Sequence, residues 1–196
     1  MANSGTTTMI SALWPAAGRI PLRLVTLALV GTVLLTLSAK VQVPFWPVPM
    51  TMQTFAVIVI GMAYGWRLGG ATVALYLLEG AVGLPVFAGT PEKGIGLAYM
   101  AGPTGGYLVG FVVAAMAAGW LAERGWDRNF LSALAVNVIG TVLLFLFGLG
   151  WLAGLIGFEK AVTFGLVPFL LASVLKIGLG AAVMPLAWRR VKAWRG

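Results

Sequence analysis

Apolar runs at about 21–39, 52–66, 68–84, 104–122, 130–157 and 163–188 take up most of this chain, with little charge between them. A bilayer core needs about 20 helical residues per crossing. Only 9% of the residues are charged, whereas a soluble domain carries roughly 25% because its outer shell must be wetted. Most of the surface must therefore face lipid. The expected fold is an all-α integral membrane protein: a six-helix transmembrane bundle forming one domain over residues 1–196, with a short tail at 1–18 and a basic tail at 189–196. Runs two and three are short and joined by Trp66-Arg67-Leu68-Gly69-Gly70, so they read as a helical hairpin. Five or seven spans remain open alternatives.

The net charge of +8 raises the question of nucleic acid, and its distribution answers it. With six spans and a cytoplasmic N-terminus, Arg19, Arg23, Arg67, Arg124, Arg128, Arg189, Arg190, Lys192 and Arg195 lie inside. Lys40, Lys93 and Lys160 lie outside, and Lys176 falls within a span. That bias follows the positive-inside rule and suits an anionic cytoplasmic leaflet, so no nucleic-acid partner is expected and both termini are predicted cytoplasmic. Residues 1–18 lack the basic start of a secretory signal and read as a tail touching the interface through Trp14.

The chain has no Cys and no His, which removes thiolate nucleophiles, imidazole bases and the usual transition-metal sites. No catalytic residue and no metal ligand is expected. There is also no G-x-x-x-x-G-K-[ST] segment, so any ATP hydrolysis belongs to another subunit. An intramembrane enzyme would need buried acids or bases, yet the only Asp is Asp127, in a predicted cytoplasmic loop. A channel would need polar rings that a chain this small does not offer.

Two predicted outer segments are not ordinary turns. The first, 43–53, holds Pro44, Pro47 and Pro49 beside Phe45 and Trp46; proline at that density forbids helix and fixes an extended path. The second runs from Gly83-Leu84-Pro85-Val86-Phe87 to Gly102-Pro103-Thr104-Gly105-Gly106-Tyr107. Together they suit a cover over an apolar pocket with a few polar groups. The alternative is a pair of rigid turns carrying interfacial aromatics.

Lys176 reads as lying near the middle of the last apolar run. A cation at mid-membrane costs roughly 2.5–3.5 kcal/mol on insertion scales, so it should face the bundle interior and meet an anion. Glu79 is one candidate partner, Glu159 lies nearer the outer surface, and a ligand carboxylate is another. The pairs Gly61/Gly65/Gly69, Gly106/Gly110 and Gly150/Gly154 read as small-residue packing between helices. Ala28 and Thr32 form a weaker stripe of the same kind on the first helix.

In these residues the chain resembles the biotin-binding membrane subunits (BioY family) of energy-coupling factor (ECF) transporters. The stretches that carry the resemblance are VPFWPVPMTMQTFAV, YLLEGAVGLPVFAG, AGPTGGYLVGF and PF-five residues-LK, in the family's order over roughly residues 40 to 190. The resemblance implies a six-helix bundle in the bacterial cytoplasmic membrane that binds biotin near its outer face. It implies a transmembrane coupling subunit and two ATPase subunits as partners, and biotin as transported ligand with no other cofactor. Gln53, Tyr107 and Lys176 fall on family motif positions. Implied roles follow: Lys176 meets the biotin carboxylate or a polar group near it, Gln53 and Thr104 hydrogen-bond the ligand, and Trp46, Phe87 and Tyr107 wall its apolar parts. Ser173 stands where the family typically carries Asp, three residues before the lysine. Three readings stay open: Ser173 bonds the ligand directly, Glu79 replaces the missing carboxylate, or the affinity is altered. A related uptake subunit for another small carboxylate vitamin would share this fold.

Overall fold

A computed structural model of the chain describes residues 8–14, 20–43 and 46–195. Arg19, Pro44, Phe45 and most of the predicted 1–18 tail lie outside the described residues. The fold is almost wholly helical: α1 (Met9–Leu13), α2 (Ile20–Lys40), α3 (Gln53–Tyr64), α4 (Trp66–Ala81), α5 (Gly96–Met100), α6 (Gly105–Ala122), α7 (Phe130–Ile156), α8 (Phe158–Gly165) and α9 (Leu170–Arg195). Two short strands, β1 (Gln42–Val43) and β2 (Met50–Thr51), pair antiparallel with Gln42 opposite Thr51.

Among the described residues, four helical stretches are long and apolar enough to cross a membrane: Pro21–Lys40, Gly105–Ala122, Phe130–Ile156 and Phe158–Trp194. Gln53–Tyr64 is shorter. It joins α4 at Gly65, whose φ of 84° only glycine adopts without strain. The two helices touch where Gly69 faces the Gly61 backbone.

α6 is the central element and packs on α3, α4 and α7, with α9 closing the far side against α7. Its small face allows this. A side chain at Gly119 would strike the backbone of Gly65 and Trp66, and one at Gly110 would crowd Leu144 of α7. Gly150 and Gly154 depart from the packing expectation, because nothing lies near either. They sit on an exposed face of α7, where an added methyl would meet nothing among the described residues.

The last apolar run differs most from the sequence reading. It is broken by a 3-10 turn, Val167–Phe169, around Pro168, and its first residues belong to the short helix α8, which begins after Gly157 (φ 86°). Because the residues on both sides of the turn are apolar, hydropathy cannot reveal this break. α9 therefore starts at Leu170, and Lys176 lies less than two turns inside it, not at its centre. Within the basic tail, residues 189–195 continue α9, which runs on to Arg195. Similarly, Met9 and Ala12 of α1 are buried against α3 and α9, while Trp14 is exposed.

Two apolar cores divide the interior. One, holding Ile58, Met62, Leu121, Val136, Met184 and Trp188, fills the end that carries the arginines. The other surrounds Tyr76, Phe87, Tyr99, Tyr107, Leu144 and Phe169 towards the opposite end, and this one is hollow.

Candidate functional site

The hollow is a cavity of about 550 Å³, counted with its open mouth. Its walls come from the 46–53 segment, the 83–104 segment, α6, α7 and α9. The two segments that the sequence singled out meet over it.

A polar relay fixes this cover. The Thr51 hydroxyl donates to Gln53 Oε1 at 3.4 Å, Gln53 Nε2 donates to the Tyr76 hydroxyl at 2.7 Å, and Tyr76 donates to the Val86 carbonyl at 2.9 Å. Gln53 and Tyr76 are both buried, where an unmade hydrogen bond would cost about 1–3 kcal/mol. The relay therefore ties β2, α3, α4 and the second segment into one unit. Lys40, at the end of α2, adds donations from Nζ to the carbonyls of Phe87 and Thr90, both at 3.1 Å.

Aromatic rings set the shape. Phe87, only 1% exposed, stacks on Tyr99 with centroids 5.0 Å apart and meets Tyr76 edge-on at 5.4 Å. It fits because Gly80 leaves room where any side chain would strike the ring. Tyr107 turns its hydroxyl away to the Gly165 carbonyl at 2.8 Å, so its ring is what it offers the cavity. Tyr99 donates to the Ala88 carbonyl at 2.8 Å; burial raises its phenol pKa, and hydrogen bonding with Thr104 opposes that.

Lys176 stands at the inner end and donates to the Thr51 carbonyl at 3.0 Å. Among the described residues no carboxylate pairs with it. Beyond it lies a smaller space of about 190 Å³, whose lining includes Thr54, Asn137, Thr141, Ser173 and Lys176. The hydroxyls of Thr54, Thr141 and Ser173 have no hydrogen-bond partner among the described residues. Free hydroxyls beside an unneutralised ammonium, next to an aromatic chamber, can receive a ligand with an apolar body and a polar, electron-rich end.

Of the residues expected from the sequence, Gln53, Phe87, Thr104, Tyr107, Ser173 and Lys176 line this cavity. Trp46 does not. Val48, Pro49 and Thr51 line the cavity, whereas Trp46 is 70% exposed, edge-on to Phe164 of α8 at 5.9 Å. Glu79 is also outside the lining: Val73, Tyr76 and Gly80 hold the buried face of α4, and Glu79 stands half-buried at its edge. It makes no ion pair with Lys176 among the described residues. The sequence reading did not single out Tyr99, Phe111, Leu144, Phe145 or Phe169, all of which line the cavity. In an apolar run such residues look the same whether they face lipid or a pocket. Tyr99 alone carried a signal, being an aromatic within the second segment.

The model of the BioY family matches residues 8–193. The chain is 38% identical over 152 residues to the "Probable biotin transporter BioY" of Pyrococcus horikoshii, a match covering 78% of this chain and 88% of that protein. It is 37% identical to the "Biotin transporter BioY" of Thermotoga maritima, again over 78% of this chain and 88% of that one. The similar protein of Rhizobium etli, also a "Biotin transporter BioY", is 38% identical over 78% of this chain and 86% of its own length. Among solved structures, the S-component for biotin from an ECF-type ABC transporter superposes with a TM-score of 0.75 at 21% identity, over 88% of this chain and 95% of that chain. At that identity the likeness shows a shared fold.

Proposed function

The chain belongs to the BioY family, and from that premise we propose that it captures biotin for uptake, as the substrate-binding subunit of an ECF-type transporter. The observation that carries the reading is the chemistry of the cavity: an aromatic chamber ending at Lys176, Ser173 and free hydroxyls, inside the region that the family model matches. Biotin has a compact apolar ring and chain with polar groups at both ends, and that shape suits the chamber. It is cargo here, not a cofactor.

In this proposal Lys176 and Ser173 receive a polar end of biotin, while Gln53 and Thr104 hold hydrogen-bonding positions near the cover. Phe87 and Tyr107 pack on the apolar part. Ser173 takes over the ligand contact that a carboxylate would otherwise make, because no acid reaches Lys176 from α4.

The helices α2, α3, α4, α6, α7 and α9 are read as six spans of one substrate-binding domain in the cytoplasmic membrane. The arginine-rich end is cytoplasmic, with both termini there, and the cavity opens towards the outside. The packed core at the arginine-rich end supports this orientation, since it closes the cavity from that side. Release inside then requires reorientation, which a transmembrane coupling subunit and two ATPase subunits would drive. The chain's own role is binding and not catalysis.

Equilibrium binding of biotin to the detergent-purified chain tests the reading. Saturable binding that excess lipoate spares is expected. Absence of binding by a folded preparation, or better binding of lipoate, would sink it and favour another small carboxylate.

A further inference from the structure

The arginine-rich end carries a second feature, away from the biotin cavity. Trp66 at the start of α4 and Trp120 near the end of α6 flank an open groove of about 820 Å³, floored by Val113, Met116 and Ala117. Its lining is almost wholly apolar and it is open to the outside of the bundle. Both walls carry a guanidinium. Arg124 lies 3.4 Å from the Trp120 ring centroid, and Arg67 lies 5.0 Å from that of Trp66.

Among the described residues no carboxylate neutralises the charges at this mouth. Glu123 is the nearest acid in sequence, but its Oε1 accepts the Trp66 backbone N–H at 3.2 Å. Asp127 accepts the Trp188 indole N–H. Among the described residues neither arginine forms an ion pair; Arg124 spends one N–H on the Trp120 carbonyl at 2.7 Å, and Arg67 makes no hydrogen bond. Both are exposed.

Tryptophan rings mark the level of the headgroups, and basic residues there attract acidic lipids. Here the two coincide above a groove open to the acyl layer. We propose that this groove is a binding site for an anionic phospholipid, with one acyl chain along Val113, Met116 and Ala117 and the phosphate held by Arg67 and Arg124. Charge complementarity selects an acidic lipid over a zwitterionic one. The site rests on the inward orientation of the arginine-rich end, proposed above, only for which leaflet supplies the lipid.

The test is native mass spectrometry of the full chain released from mixed micelles holding equal phosphatidylglycerol and phosphatidylcholine. The wild type should retain phosphatidylglycerol in preference, and each arginine removed should weaken that preference about fivefold, as expected from ~1 kcal/mol per basic residue at an anionic surface. R67Q/R124Q should abolish the preference, and A117W should lower retention of both lipids by filling the groove. R67K/R124K, which keeps the charge, should retain most of the preference and shows that loss in R67Q/R124Q is not misfolding. Biotin binding, measured on the same samples, should be unchanged in R67Q/R124Q, which separates this site from the transport cavity. Equal retention of the two lipids by the wild type, or full preference in R67Q/R124Q, overturns the proposal. Loss of a co-purifying subunit in R67Q/R124Q with lipid retention intact also overturns it and assigns the face to a protein.

Discussion

Lys176 Nζ on α9 donates to the carbonyl of Thr51 on β2 at 3.0 Å, joining residues 125 positions apart in the chain. The bond spans the inner end of the cavity and fastens the first covering segment to the last helix. On the proposed function the ammonium has two tasks, holding the cover and facing the ligand. Replacing it with a residue of similar length but no charge should disrupt both. A hydrogen bond to a charged group is worth about 1.5–3 kcal/mol, so Lys176→Met should weaken biotin binding by about 10- to 100-fold. Titration calorimetry on the purified variant checks this, and an unchanged affinity would remove Lys176 from the site.

Lys40 acts on the cover without lining the cavity. Its ammonium donates to the carbonyls of Phe87 and Thr90 and to the Thr90 hydroxyl. These bonds stitch the end of α2 to the turn that presents Phe87. Lys40→Met should loosen that turn and act mainly on ligand escape. Being near the surface, the contacts are worth about 1 kcal/mol, and a dissociation rate raised about fivefold is expected. Chase experiments with unlabelled biotin measure it; a slower association with unaltered dissociation would contradict the assigned role.

Phe87 occupies its position because Gly80 offers no side chain. A methyl at position 80 would lie within the ring, so Gly80→Ala must push Phe87 either into the chamber or off Tyr99. Overpacking of this kind costs typically about 1–3 kcal/mol. We expect a lower Tm together with reduced biotin affinity, read by thermal unfolding and binding on one preparation. A lower Tm with wild-type affinity would mean that Phe87 supports the fold without shaping the pocket.

How much of this the sequence disclosed depended on contrast. Proline and aromatics inside an otherwise hydrophobic chain marked both covering segments, and a lone lysine marked the inner end. Gln53, Thr104 and Ser173 were legible for the same reason, as polar residues in apolar surroundings. Leu144 and Phe145 were not, since nothing in their flanks separates pocket from lipid. Trp46 stands outside the lining because it sits exposed in the connection between β1 and β2, whose path the sequence does not encode in its aromatic character. The place of Lys176 within its helix differs from the expectation because the break at Pro168 lies between two apolar stretches. A helix's apolar character fixes that it is in the membrane; its starting residue depends on backbone geometry that hydropathy does not encode.

Asp127 gives the last prediction, and it concerns stability. It lies in the turn between α6 and α7, 1% exposed, with one carboxylate oxygen accepting from the Trp188 indole and the other unpartnered. Burial raises its pKa, and the Trp188 bond, its own backbone N–H and nearby Arg128 pull the other way without cancelling that. The unfolded carboxyl titrates near about 3.9, so the folded value is the higher one. Below the unfolded pKa both states are protonated and the contribution is fully present. As pH rises from there through the folded pKa, the folded state holds a proton that the unfolded state has released, and stability falls. Above the folded pKa the charged form is buried and the loss is complete. Asp127→Asn keeps an oxygen for Trp188 and removes the titration. Its Tm should therefore exceed that of the wild type at neutral pH, and the gap should shrink on acidification into the carboxylate range. Thermal unfolding of both proteins across that pH range reads the gap directly, and a gap that widens on acidification would show that the carboxylate is stabilised by the fold and not penalised by it.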